Sequence, residues 1–460
     1  MALKSVILIN PNHNVKADPT TKMILPPLGL AYLATCLEKN NVDVSILDAN
    51  AENLTPFQVA RRVLTKKPKL VGISAVTNTI SEAWEIAREI KKKKDIPIIF
   101  GGIHPTLLPE ESLDKGYVDF VLRGEAEKTL TDFVLGKDKT KIIGLSFKNG
   151  QKTIHNQTLP IIKNLDLQPF PARHLLPLEK YITIGAKRTP YATLISSRGC
   201  PYQCSFCSTR AIAGQNFRPR SAENVLAEID QLVQDYGVRE INILDDNFTL
   251  NPARVDKICR LLIKRGYDLL LKNGNGVRLD SLTYPLLALM KKAGWYLLAF
   301  GIESGDQSIL KKNLKNLKLA KVRQVINWCR KLGIQTEGFF IFGLPGETPA
   351  SIKKTINFAK SLALDEAQFN ILTPFVGTKA REMIQKEGRI LTNDWAFYNA
   401  WSAPVFELKG LSPEEMLRKQ KQAYRQFYLR PKILLKQMFK PNFWPKAKAG
   451  LSVIFPFLNK

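Results

Sequence analysis

The sequence predicts an α/β protein in three parts: an N-terminal doubly wound, flavodoxin-like parallel sheet, a partial (β/α)6 barrel of the TIM type, and a C-terminal helical basic tail. Three observations carry this. Five short apolar runs before residue 150 alternate with helical patterns, six more do so from 193 onward, and the last fifty residues mix Lys and Arg with aromatics. Strands that alternate with helices imply parallel βα units.

In residues 1–150 the runs are "SVILIN", "DVSILDAN", "LVGISA", "PIIFGG" and "FVLRGE". The opening "MALKSVILINPN" reads as a first strand, without the cleavage region of a signal peptide. No G-x-G-x-x-G follows that strand, which argues against a nicotinamide or flavin dinucleotide. The marks present are Pro27 and Gly29 in "PPLGLAYLA", Asp48 after the second strand, Ser74 after the third, and Gly101, Gly102 and His104 in "GGIHPTLLPEE". A glycine pair at a strand end lets backbone approach a large planar ligand. Residues 151–186, rich in proline around "LQPFPARHLLPLEKY", form a linker.

The second unit spans 187–400. Its runs are "TLISSRG", "EINILDDNF", "KNGNGVR", "WYLLAFGIES", "QTEGFFIFGLPGE" and "EAQFNILTPFVGT". Chemistry in such barrels sits at the carboxyl ends of the strands. Those ends carry Asp245, Asp246 and Asn247 on the second run, Arg278 on the third, and Glu303 and Ser304 on the fourth. Just past the first run, "SRGCPYQCSFCSTR" holds Cys200, Cys204 and Cys207, half of the six cysteines, followed by Arg218 and Arg220 in "FRPRS". Three thiols leave one unpaired as disulfides, and six cysteines in 460 residues fit a reducing compartment. Structural zinc wants four closed ligands, and no second C-x2-C pair exists. The other cysteines, Cys36, Cys259 and Cys329, lie in apolar helical patterns as small buried hydrophobes. A [4Fe–4S] cluster on three thiolates keeps one iron open and reactive.

The C-x3-C-x2-C spacing after a strand, with Phe206 before the last cysteine, resembles the signature of radical S-adenosylmethionine enzymes. The resemblance implies that the open iron chelates S-adenosylmethionine and that one electron cleaves it to a 5′-deoxyadenosyl radical. It implies a cofactor amino group at Asp245, Asp246 and Asn247, although "DDNF" departs from the commoner Gly-Gly-Glu. Glu303 and Ser304 are then expected to reach ribose or carboxylate groups, with Arg218, Arg220 and Arg278 as cations for a carboxylate or the cluster edge. The first unit, with "RGEAE" at 123–127, resembles the cobalamin-binding domain of one large subfamily. The first loop, "NPNHNVKADP", lacks the D-x-H-x-x-G motif, so cobalt is expected without a histidine from the protein.

Residues 401–460 form the basic helical segment. From 411 onward it carries eleven Lys and Arg against two Glu, a net of +9, with Phe427, Tyr428, Phe439, Phe443 and Trp444 as interfacial aromatics. The whole chain carries +27. That balance suggests a polyanionic partner: the tail points to an anionic membrane surface, with nucleic acid the less favoured partner and a helix packed on the barrel the plain alternative. No apolar run reaches 18 residues, so no membrane span is expected. The sequence therefore predicts a cytoplasmic enzyme, peripheral at the inner face of the membrane. It methylates or otherwise modifies an unactivated carbon of a hydrophobic or lipid-like small molecule and is reduced by a ferredoxin or flavodoxin. The other readings are a tetrapyrrole-cyclase-like oxidative cyclase or rearrangement enzyme, a methylthiotransferase, and a non-catalytic cobalamin or cluster sensor.

Overall fold

A computed structural model describes residues 3–13, 24–157, 161–181, 186–399, 403–431 and 433. The first sheet contains β1 (Ser5–Asn10), β2 (Asp43–Asp48), β3 (Leu70–Ser74), β4 (Ile98–Gly101), β5 (Phe120–Leu122), β6 (Leu145–Asn149) and β7 (Lys152–His155). Its order is β2-β1-β3-β4-β5-β6-β7. The first five strands are parallel in flavodoxin order, as the apolar runs predict. Alternation along β1 explains the double winding. Val6 and Leu8 pack with Leu30, Ala34 and Leu37 on one face. Ile7 and Ile9 join Val59, Val63, Ile86 and Ile90 on the other.

Two boundaries differ from expectation. β6 and β7 are an antiparallel hairpin added to the sheet edge, so a border at 150 would cut a tight turn. A border at 400 falls between β16 (Gly388–Ile390) and β17 (Phe406–Leu408), which pair antiparallel. Both are short, part-polar edge pieces without the long apolar run that marks a core strand.

The second unit begins with β8 (Tyr191–Leu194), followed by a two-residue antiparallel pair, β9 (Ser197–Arg198) and β10 (Arg218–Pro219). Its remaining strands are β11 (Glu240–Ile243), β12 (Leu270–Val277), β13 (Trp295–Glu303), β14 (Gln335–Phe342) and β15 (Glu366–Ile371). Six of them form one parallel sheet, β15-β14-β13-β12-β11-β8, with β8 and β15 as edges. This is the partial barrel that the six runs predict. Helices such as Ala222–Gln234, capped by Ser221, bury apolar stripes against it.

The tail contradicts its expected role where it is described. Helix Pro413–Tyr428 starts at Ser412, whose side chain accepts from Glu415 N–H, and has Glu414 and Glu415 in its first turn. It packs on β15 and on helix Pro349–Ser361. Phe427 is fully buried there and Tyr428 is half-buried, so neither is free to enter a lipid surface. Phe439, Phe443 and Trp444 lie outside the described residues. Among the described residues no helix is long and apolar enough to cross a membrane.

Candidate active site

The three cysteines lie on the loop between β9 and the short helix Thr209–Ala213, past the carboxyl end of β8. Cys200 and Cys204 are half-buried and Cys207 is exposed. Burial pushes the Cys200 and Cys204 thiols up, while Lys315 and Arg278 pull Cys204 back down. Both ends of the loop are tied to one carboxylate: Asp246 accepts from Gly199 N–H at 2.9 Å and from the Thr209 hydroxyl at 3.1 Å. Gly199 has φ +83°, and a Cβ there would strike the Asn216 carbonyl. The middle is held by Ser205, which donates its N–H to the Asn313 carbonyl at 3.0 Å and its hydroxyl to Asn313 Oδ1 at 2.7 Å. Asn313 carries no motif in the sequence, and its role could not have been read from spacing.

The neighbouring strand ends divide into braces and open groups. Asp245 accepts from Ser196 N–H, the Ser196 hydroxyl and the Ser197 hydroxyl, each at 2.6 Å, and burial raises its pKa against the pull of Arg254. That engagement makes it a brace under the cysteine loop. Asn247 is different: it is 1% exposed, and neither its side-chain oxygen nor its nitrogen has a partner. A buried amide without partners is rare and points to a missing ligand or water. Beside it, β12 bulges. From Asn273 to Val277 it advances four residues while β13 advances from Leu298 to Phe300, a distortion common next to active sites.

Arg278 donates to Asp280 at 2.9 Å and lies over the Tyr202 ring at 3.6 Å, against the cysteine loop. Glu303 sits at the end of β13 with φ +67° and bonds Lys315 Nζ at 2.8 Å. Phe206 lies under that lysine, 5.9 Å from Nζ to the ring centre. Ser304 departs from expectation: it is fully buried, and its hydroxyl meets Thr355 at 3.1 Å and accepts from Asp306 N–H, a packing role. Arg220 departs too, being buried against Glu228 and Asn224. Arg218 faces the first unit, where it meets Glu125 at 2.9 Å.

That contact leads to the carboxyl edge of the first sheet. Arg198, two residues before Cys200, pairs with Glu125 at 3.2 Å and Glu127 at 2.8 Å. "RGEAE" therefore clamps both strands of the β9–β10 pair. Helix Ile103–Leu107, after β4, packs on helix Thr209–Ala213, and Leu107 lies against Gly377 beyond β15. Along this edge Gly29 and Gly124 face open space. At Gly101 the nearest obstacle to a Cβ is Leu122, 3.9 Å away. Gly102 serves packing instead: at φ +96°, its Cβ would lie 2.6 Å from the Ala75 carbonyl. Ser74 is half-buried beside it, and Pro27 precedes the first turn of helix Leu28–Glu38. Asp48 is buried, accepting from Asn10 at 2.8 Å and from the Tyr181 hydroxyl of the linker at 2.9 Å. His104 is not available to a metal. It is 1% exposed, bonded to Glu111 at 3.2 Å, and packed edge-on between Trp84 and Trp395.

Comparison with known proteins matches this geometry. A family model described as B12 binding domain matches residues 19–134, and one described as Radical SAM superfamily matches 194–359. An uncharacterized methyltransferase of Pyrococcus horikoshii is 34% identical over 445 residues, covering 95% of each chain. This chain belongs to the radical S-adenosylmethionine enzymes with an N-terminal cobalamin-binding domain. The anaerobic magnesium-protoporphyrin IX monomethyl ester cyclase of Rubrivivax gelatinosus is 29% identical, covering 93% of this chain and 78% of its own. The radical S-adenosylmethionine methyltransferase TsrM of Kitasatospora setae shares the fold. Its TM-score is 0.69 at 20% identity, covering 83% of this chain and 76% of its own.

Its cofactors are therefore a [4Fe–4S] cluster, S-adenosylmethionine and cobalamin, and the residues present fit them. The described residues include no three His, Cys, Asp or Glu close enough for a single metal ion. A cubane does not ask for that, because each thiolate binds a different iron. The unpartnered Asn247 amide fits a polar cofactor at the second strand end. The open glycines fit a broad planar one.

Proposed function

We propose that this protein is a C-methyltransferase acting on an unactivated carbon of a hydrophobic small molecule. When bound, the three cofactors supply one-electron cleavage chemistry and a transferable methyl group. One observation supports this above the rest: the carboxyl ends of both sheets meet at the cysteine loop, through Arg198 and Arg218 on Glu125 and through Leu107 on Gly377. Radical generation and methyl delivery then take place at one junction between the two sheets. Cys200, Cys204 and Cys207 hold the cluster, Asn247 and Glu303 bind polar parts of S-adenosylmethionine, and Gly101 and Gly124 leave room for the corrin.

The hydrophobic class of substrate is supported by the relatives, among them the magnesium-protoporphyrin IX monomethyl ester cyclase of Rubrivivax gelatinosus. Electrons arrive from a ferredoxin or flavodoxin on the side of Cys207, the exposed cysteine.

The test uses anaerobically reconstituted full-length protein, a low-potential reductant, S-adenosylmethionine with a deuterated methyl group, and a hydrophobic metabolite extract. A product heavier by one labelled methyl, with release of 5′-deoxyadenosine, is expected. A product that loses hydrogen without gaining label would establish the cyclase reading, which the Rubrivivax relative favours. No consumption of S-adenosylmethionine would refute both.

A further inference from the structure

Lys315 belongs to no motif in the sequence, yet it is a deeply buried cation beside the cysteine loop. Its side chain is 8% exposed, equal to that of its partner Glu303, at 2.8 Å. Burial opposes the charged ammonium, and the facing Glu303 carboxylate is the counter-charge that offsets it. The backbone on both sides is strained: Glu303 has φ +67° and Leu314 has φ +56°. Left-handed backbone at non-glycine residues is unfavourable and persists where surrounding structure enforces it. Gly301 leaves the needed space, since a Cβ there would lie 2.5 Å from Glu303 Oε1 and 3.0 Å from Lys315 Nζ. A buried ion pair is weak as a stabilising device, because desolvation offsets its attraction. Stability alone therefore does not account for it.

Its placement does. Lys315 Nζ stands over Phe206, between Cys204 and Cys207 in sequence, and Asn313, two residues earlier, holds Ser205. We infer that Lys315 is a positioning residue that fixes one positive charge against the Cys204 side of the cluster, with Glu303 as its counter-charge, so that the pair sets the cluster's reduction potential. This rests on the cysteines holding the cluster, as proposed above. Reduction adds one electron from an external low-potential donor and takes the cluster from its 2+ to its 1+ state. A nearby cation stabilises the more negative state and raises the potential, and a nearby anion lowers it.

The two partners therefore make opposite predictions. In the reconstituted full-length enzyme, redox titration followed by electron paramagnetic resonance gives the midpoint potential, and iron content is measured alongside. Lys315→Met is expected to shift the midpoint down, Lys315→Arg to restore most of it, and Glu303→Gln to shift it up. Gly301→Ala, which crowds the pair, is expected to move it without changing charge. A loss of packing alone would not give shifts of opposite sign. The inference is overturned if Lys315→Met and Glu303→Gln both leave the midpoint unmoved, or both move it the same way, with iron retained. Should Lys315→Met lose its iron, Glu303→Gln still decides. Absence of a cluster from the unaltered protein would instead overturn the cofactor assignment beneath this proposal.

Discussion

β15 is an open sheet edge, and its outward polar groups are closed by side chains of the C-terminal helix. The Tyr428 hydroxyl accepts from Ala367 N–H at 3.1 Å and donates to the Ala367 carbonyl at 2.9 Å. The Tyr424 hydroxyl accepts from Phe369 N–H at 3.2 Å, and Gln420 donates to the Phe369 carbonyl at 2.7 Å. An unpaired edge strand invites pairing with other chains, and here a helix supplies the missing partners. Replacing Tyr424 and Tyr428 by Phe keeps both rings and removes both hydroxyls. Each change strands a buried backbone group, at about 1–3 kcal/mol, or about 5- to 150-fold in local opening. Hydrogen exchange read on peptides spanning 366–371 should accelerate by that factor, while β12 should not respond. Unchanged exchange at Ala367 and Phe369 would refute the edge-closing role. By the same geometry a chain ending at 410 loses Phe427 and the edge partners together, and its barrel is expected to aggregate rather than remain active.

Replacing Cys204 by Ala should abolish cluster absorbance and lower iron content, whereas Cys259→Ala should leave both, since that thiol is fully buried and burial pushes it up to about 12. Glu347 accepts from Gly343 and Leu344 N–H, and burial pushes its carboxyl up to about 8. The folded chain thus binds the extra proton between about pH 4.5 and 8, so this contribution is full below that window and lost as pH rises through 8, by at most about 5 kcal/mol. Urea midpoints at pH 5.5 and 8.5 should differ less in Glu347→Gln than in the unaltered protein. Glu125→Ala leaves the buried Arg218 without its carboxylate, at about 3–5 kcal/mol, and should lower the melting temperature and expose the linker to protease. Comparing the full chain with one ending at 433 in co-sedimentation with anionic vesicles tests the residues beyond the described helix. Salt-sensitive binding by the full chain alone is expected, and equal binding would remove the membrane role.

Strands such as β1, β3 and β13 were legible because each is a nearly continuous apolar run buried along most of its length, whereas the part-polar β6 and β7 gave no such signal. The cysteine loop was legible because cluster chemistry fixes its spacing. The remaining site residues were harder for one physical reason. At a strand end, the same residue type serves a ligand or a brace, and only neighbours decide. Asp245 and Asn247 are two positions apart, yet three donors occupy the first and none reach the second. Arg218 and Arg220 look alike in "FRPRS", but one reaches across to Glu125 and the other turns inward to Glu228. Tyr428 reads as an interfacial aromatic until its hydroxyl is found on Ala367.

Arg198, Arg218 and Glu125 show why the two units must be considered together. The β9–β10 pair is two residues long, too short to hold itself, and it carries the cysteine loop between its strands. Its arginines are held by Glu125 and Glu127, which follow β5 in the other unit. Glu125 also accepts from Ile162 N–H in the linker at 2.9 Å, so one carboxylate joins the first sheet, the linker and the cluster loop. The β9–β10 pair is thus anchored on the first sheet through two guanidinium groups, while Asp246 and Asn313 brace the loop from within the second unit.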